Sequence, residues 1–487
     1  MSTPIPMLDL MFFLTETVDN PRHVGSVLIF KRPRAGREVV REIVAAYRAA
    51  KPLPPFNRIP VFRKSGMPLW QEVERIDPSH HVLHLALPSP GSDQQLHELI
   101  ADLHAPILER HRPGWKVYVI EGLAGNRFAI YHKVHHALVD GESGMAILRR
   151  SLADSPRDRR VRTTVALESA TRPRPTPHGL RETLELEAQR LARRTLSIGR
   201  SSIRIAEETL GGLLGYSPAH ARAFSAPRTP MNDPIFNARS ISHVALPLSD
   251  MKTVARAWDG TLNDVALCMV DAGVNRYLRA MGRAPDHPLV SICPVSLHDP
   301  NVKQATTNVS AIWPGLGPAS APIDRRMRII MANTRAAKEQ IGTLGRDAAY
   351  AYAVMAFALS ETLTIARPEA LGLLPANMLI SNVRGPDRPL YLNGARLEAL
   401  FPVSTLIAGV GLNVTFMSYA GRVVFGFTAN GSALPEVESM ARYTAEALEA
   451  LLRASVKRAD TAPRSTRRPA RTATTNRGLG RLPSRRA

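Results

Sequence analysis

The string His135-His136-Ala137-Leu138-Val139-Asp140-Gly141 places two imidazoles, a carboxylate and a glycine within one short segment. An imidazole, with an ordinary pKa of about 6.5, is the side chain best suited to take a proton from a hydroxyl near neutral pH. A carboxylate four residues on can anchor the loop that presents it, and the glycine after it permits an unusual backbone angle. A metal site is the weaker reading. Zinc proteases place their histidines at i and i+4 on a helix, with a Glu between them. Adjacent histidines on an extended segment point to opposite sides and could hardly share one ion. His132 adds a third imidazole, but no acidic or thiol cluster stands near it in the sequence, so no metal is expected. Gly141-Glu142-Ser143-Gly144 lacks the GxSxG spacing of a nucleophilic serine elbow.

The elements that must carry this loop are legible on either side of it. Residues 116–121 and 128–134 read as paired strands separated by Gly122 to Asn126, so the motif ends a strand and opens a helix. Before them come a strand over 24–30, a helix over 39–49, a strand over 83–87, and a helix over 94–108 started by Ser92-Asp93. An Arg- and Pro-rich linker over 154–238 follows this first domain (1–153). Within it, apolar residues from Leu184 to Ile205 recur at three- and four-residue steps and predict an amphipathic helix over 182–210. A second domain spans 239–455. It has strands at 242–246 and 289–295 and helices at 248–258, 263–281 (begun by Thr261) and 322–340. Four more strands follow at 379–382, 403–406, 412–417 and 423–428, and a last helix over 435–452. Residues 456–487 read as a disordered basic tail, with ten Lys/Arg from Lys457 onward against the single acid Asp460.

Composition narrows the function further. A chain of 487 residues, 44% hydrophobic, is long enough for two cores. Cys268 and Cys293 form no disulfide framework and fit a reducing cytoplasm, and no basic start with an apolar core signals secretion. Residues 399–421 carry no formal charge for 23 residues, long enough to span a bilayer, but Pro402, Asn413, Gly409 and Gly411 interrupt them, so strands are expected instead. The net charge of +21 favours anionic partners such as lipid headgroups or CoA phosphates. Nucleic acid is disfavoured because the basic tail lacks interleaved aromatics for base stacking. Gly409-Val410-Gly411 lacks the full GxGxxG and gives nicotinamide binding weak support.

The motif is the HHxxxDG signature of CoA-dependent acyltransferases, and further segments point to one family. They are Leu8 to Thr17 with Pro21 to Gly25, Ile76-Asp77 with His81-Val82, Leu87 to Gly91, and Ile120 to Leu123 running into Lys133 to His136. The second half adds Leu262-Asn263-Asp264-Val265, Pro294-Val295-Ser296-Leu297 and Ser381-Asn382-Val383-Arg384-Gly385-Pro386. In this order, over residues 5–452, the chain resembles bacterial wax ester synthase/diacylglycerol acyltransferases of the actinobacterial triacylglycerol-synthase type. Three positions depart from the family's usual pattern. Gly114 stands where Leu is usual, His298 where Arg is usual, and Arg384 where Pro is usual. An Arg replaced by His loses a permanent charge and a bidentate fork.

The resemblance implies an α/β (α+β) fold of two chloramphenicol-acetyltransferase-like domains, mixed sheets flanked by helices, with the active-site channel between them. It implies transfer of a fatty acyl group from acyl-CoA to the hydroxyl of diacylglycerol. His136 is then the general base, His135 supports it, and Asp140 and Gly141 are structural. Asn263 is a candidate for polarising the oxyanion, with Asp264 supporting it; capping a helix is the alternative role for both. Ser381, Asn382 and Arg384 would lie near the acyl-CoA channel. Acyl-CoA is a substrate, so no cofactor is expected. The expected setting is cytoplasmic, peripheral to a membrane or lipid-droplet surface, without a transmembrane helix. Two alternatives remain open: a wax ester synthase using long-chain alcohols, and a degenerate lipid-binding paralogue of low activity.

Overall fold

A computed structural model describes residues 2–33, 38–64, 66–167, 225–296, 309–343 and 374–461, with Phe357, Ser360 and Glu361 between the last two spans. The amphipathic helix expected over 182–210, His298 and the tail beyond residue 461 lie outside the described residues.

In chain order the first half contains β1 (Ser2–Pro4), α1 (Met7–Leu14), β2 (His23–Lys31), α2 (Val39–Ala49), β3 (Arg58–Val61), β4 (Leu69–Glu72), α3 (Pro78–His81), β5 (Val82–Ala86), α4 (Asp93–His104), β6 (Trp115–Leu123), β7 (Arg127–His135) and α5 (Gly141–Ser151). The second half contains β8 (Arg239–Pro247), α6 (Leu248–Trp258), α7 (Leu262–Ala280), β9 (Ser291–Ser296), β10 (Val309–Ile312), α8 (Ile323–Thr343), β11 (Met378–Val383), β12 (Tyr391–Leu392), β13 (Ala395–Val403), β14 (Leu412–Tyr419), β15 (Arg422–Asn430) and α9 (Val437–Thr461). Local chemistry explains the clearest of these. Ser92 opens α4 through a capping box with Gln95, and Thr261 opens α7 through one with Asp264.

The strands form two mixed six-stranded sheets, ordered β12-β13-β2-β7-β6-β5 and β10-β9-β11-β14-β15-β8, and a small antiparallel sheet β1-β4-β3. β5 runs parallel to β6, and β11 runs parallel to both β9 and β14. One face of the first large sheet buries Leu28, Phe30 and Ile130. Its other face buries Val27, Ile29 and Phe401 together with Leu96 and Ile100 of α4 and Ile241 and Val424 of the second sheet. The α4 helix is therefore packed where the two halves meet.

Two features differ from the sequence reading. The strand expected over 403–406 lies earlier, as β13, and it pairs with β2 of the first sheet, so residues 391–403 cross out of the second half. Pro402 sits in that strand, and its register shifts between Leu397 and Ala399. The last helix does not stop at Leu452 but continues to Thr461, into the span read as tail. Ser455 is the reason: buried, it accepts from the Trp258 indole N–H at 3.0 Å and donates to the Leu451 carbonyl at 2.7 Å. The uncharged span over 399–421 is built from β13 and β14, and no helix among the described residues is long and apolar enough to cross a membrane.

Candidate active site

The β7 strand delivers the histidine pair and ends there. His135 pairs with His23 of β2 as its last residue, and the chain then turns through His136 to Val139 into α5. The two rings part as alternation requires, and each lies flat on one of two consecutive phenylalanines of α1. His136 stacks on Phe12 with centroids 4.2 Å apart, and His135 stacks on Phe13 at 4.2 Å. His135 is buried. Its Nδ1 accepts the Ala137 N–H at 3.2 Å, which leaves the Nε2 proton facing Glu16 Oε1 at 3.5 Å. Burial alone would raise the Glu16 carboxyl. The His135 contact, the Arg22 backbone N–H and the Arg110 charge outweigh it, and its pKa falls below the ordinary value.

His136 is half-buried, and its backbone N–H donates to the Arg22 carbonyl at 2.8 Å. Burial lowers its pKa below the ordinary 6.5, outweighing its own backbone contact and the Asp140 carboxylate. The shift favours the neutral ring, the form that can accept a proton. Arg22 in turn is buried against the second half of the chain. Its guanidinium pairs with Glu361 and donates to the carbonyls of Leu406 at 2.6 Å and Thr15 at 3.3 Å.

Asp140 is the N-cap of α5, extended at φ −85° and ψ 172°, and its carboxylate accepts the Ser143 N–H at 2.7 Å. It acts on the loop by ending the turn and starting the helix. Gly141 does not serve as expected. It is the first helical residue, without a left-handed φ, and a Cβ there would meet nothing within 4 Å. The turn is made by the extended Asp140, so the unusual angle assigned to Gly141 is not needed. Gly114 is the tighter position: its carbonyl accepts the His135 N–H at 2.8 Å, and a Cβ on it would lie 3.0 Å from the His135 Cβ. A leucine here would have to move His135 by a few tenths of an ångström.

The other site candidates gather at the second sheet. Asn382, exposed on β11, donates its amide to the Asn263 carbonyl oxygen at 2.7 Å, so the Asn263 amino group is the part left to donate elsewhere. Asp264 serves the helix. Its Oδ2 accepts from the Thr261 N–H at 2.8 Å and its Oδ1 from the Thr334 hydroxyl at 2.7 Å, tying α7 to α8. Ser381 is half-buried opposite Thr415, and Arg384 is exposed just past β11. Sequence reasoning gave no role to Phe12, Phe13, Glu16, Arg22 or Glu361. The first four lie within segments that pointed to the family, Leu8 to Thr17 and Pro21 to Gly25, but nothing there gave them a part in the site. Among the described residues no group of three or more His, Cys, Asp or Glu is placed to hold a metal ion.

Two mixed six-stranded sheets, with the histidine pair ending a strand of the first, set the architecture, and solved structures with the same architecture define its class. A solved wax ester synthase/diacylglycerol acyltransferase from Marinobacter aquaeolei VT8 superposes with a TM-score of 0.73 at 29% identity, over 93% of this chain and 100% of that one. The first condensation domain of the CDA synthetase shares the fold alone, at TM-score 0.53 and 16% identity over 92% of this chain and 96% of that one. Residues 5–266 match the wax ester synthase/diacylglycerol acyltransferase catalytic domain, and residues 307–452 match the WS/DGAT C-terminal domain. The chain belongs to the wax ester synthase/diacylglycerol acyltransferase family and is an O-acyltransferase. It is 34% identical over 455 residues (90% of this chain, 94% of the relative) to the probable diacylglycerol O-acyltransferase Tgs4 of Mycobacterium tuberculosis. It is 28% identical over 456 residues (92% and 96%) to the O-acyltransferase WSD of Acinetobacter baylyi.

Proposed function

We propose that this enzyme moves a fatty acyl group from acyl-CoA to the free hydroxyl of diacylglycerol, with His136 as the base. The observation that carries the reading is the placement of His136. It is half-buried at the end of the histidine strand, fixed by the Arg22 carbonyl and the Phe12 ring, and set in a chain 34% identical to Tgs4. His136 takes the hydroxyl proton while the oxygen attacks the thioester carbonyl. The tetrahedral oxyanion then collapses, the C–S bond breaks, and the imidazolium returns its proton to the CoA thiolate. The Asn263 amide, oriented by Asn382, is the candidate donor to the oxyanion. Ser381 and Arg384 are assigned to the acyl-CoA channel, and the scheme needs no resident cofactor or metal. A net charge of +21 supports a peripheral place on an anionic membrane or lipid droplet.

Labelled palmitoyl-CoA offered with diacylglycerol and hexadecanol in parallel tests the proposal. Triacylglycerol is the expected main product. Predominant wax ester would give the acceptor site to long-chain alcohols, a reading favoured by the Marinobacter wax ester synthase/diacylglycerol acyltransferase. His136→Ala should lower turnover by about 10²- to 10⁴-fold and keep the fold. His135→Ala, removing a buried ring, should lower stability together with turnover. Equal turnover losses in two equally stable variants would refute the assignment of one base.

A further inference from the structure

We propose that the connection between β3 and β4, with the end of α1 and the loop after α4, is the surface by which this enzyme docks on an anionic lipid layer. The inference rests on the lipid-acceptor reading above and adds the place of contact. Four of the eight large hydrophobic side chains exposed among the described residues lie here: Leu14, Phe62, Met67 and Ile107, at 64%, 43%, 49% and 41% exposure. Contacts tie the hairpin to α1 and to the loop after α4. Val61 pairs with Leu69, so Phe62 and Met67 sit on the two arms of one hairpin. Phe62 meets the Phe13 ring edge-on at 5.9 Å, and the Arg110 guanidinium covers both rings at 5.6 and 5.7 Å. Leu14 follows Phe13 directly, and Ile107 precedes Arg110 by three residues.

Charge selects the partner. Arg63 and Lys64, between the two apolar residues of the hairpin, are exposed, and no carboxylate among the described residues pairs with either. Apolar side chains flanked by long cations are the arrangement that buries in an acyl boundary while the cations reach the headgroups. Position argues for the same partner. Phe62 touches Phe13, Phe13 stacks on His135, and Phe13, Trp70, Leu108, Arg110, Gly114 and His135 line a small crevice between them. A lipid acceptor leaving the layer at this point would be one ring away from the catalytic loop.

The test uses the full chain. Met67→Cys, labelled with an environment-sensitive fluorophore, reports insertion, because both native cysteines are buried. Vesicles of phosphatidylcholine with phosphatidylglycerol should shift its emission to the blue, and vesicles of phosphatidylcholine alone should do so far less. In co-sedimentation, Arg63→Glu/Lys64→Glu should weaken binding to the anionic vesicles by about 30-fold or more at low salt, the loss narrowing as salt rises. Phe62→Ser/Met67→Ser should weaken binding at every salt concentration. An unchanged label emission with anionic vesicles overturns the proposal, as does a blue shift that follows protein concentration without vesicles, which would mark a contact between copies. None of these readouts requires turnover, so loss of acyl transfer in the parent assay would sink the functional reading and leave this one to be judged by binding.

Discussion

Glu361→Gln is the perturbation that best probes how the histidine loop is held. Arg22 and Glu361 are 1% and 8% exposed, so both charges have left water. Burial lowers the Arg22 pKa and raises that of Glu361, while each partner's charge opposes the shift. The pair is tolerated because the charges face each other and the guanidinium also reaches the carbonyls of Leu406 and Thr15. Glutamine keeps an acceptor but removes the countercharge, and Arg22 cannot shed its proton near neutral pH. An uncompensated buried charge of this kind costs about 3–5 kcal/mol. The double variant Arg22→Met/Glu361→Gln removes both charges and should recover a large part of that loss, with a coupling of about 1–3 kcal/mol. Urea denaturation of the four proteins measures both quantities. Because the Arg22 carbonyl holds the His136 N–H, turnover of the folded single variant should fall as well. A Glu361→Gln loss below about 1 kcal/mol, or single losses that simply add, would refute the argument that this pair is a charge-balanced clamp.

Acid should destabilise the fold well before the carboxylates titrate. His81 and His132 are lowered to about 4 and His243 to about 3, chiefly by burial, so at pH 5.5 they stay neutral in the native state and are protonated in the unfolded chain. The unfolded state then binds more protons, and stability falls as pH drops below about 6.5, by on the order of 1 kcal/mol per histidine at pH 5.5. Asp271, raised to about 6 by burial against the opposing charge of Arg326, works in the opposite direction and offsets part of that loss. Melts at pH 7.5 and 5.5 check the sum, and equal stability at both would contradict it. Asp140→Ala should cost about 0.5–2 kcal/mol through the lost N-cap, and Asp140→Asn less, since the amide oxygen can still accept from Ser143. If Asp140→Asn melts like the parent yet has no turnover, the carboxylate takes part in the chemistry itself.

What the sequence announced was local. Ser92 and Thr261 declared their helices by side chains that reach three residues, and the β6–β7 hairpin declared itself by alternation and by glycine in its turn. The histidine loop was legible for the same reason, because its strand, turn and cap lie within about a dozen residues. The α1 helix was not. Met7–Leu14 is apolar on nearly every side, so no period told that Phe12 and Phe13 would lie under the two histidines. The sequence reading places the strand over 395–403 several residues late, and nothing in that stretch could say that its partner would be β2, more than 360 residues away.

The features that escaped sequence reasoning share a direction, which bears on how the site is made. β13 adds to β2, which pairs with the histidine strand β7. Arg22, whose carbonyl holds His136, takes its countercharge and an acceptor from Glu361 and Leu406 in the second half. On the other side of the same sheet, His97 of α4 meets His243 of β8 at 2.8 Å and Glu438 of α9 at 3.3 Å. Each link is non-local, and each fastens the first half of the chain, which carries the motif, to the second. A seven-residue signature can specify which atoms do the chemistry, but these contacts decide whether His136 stands still. A fragment ending after α5 would keep every residue of the motif and lose β13, Glu361 and Leu406. It should therefore hold the loop poorly and transfer little acyl group, even where its own strands pair.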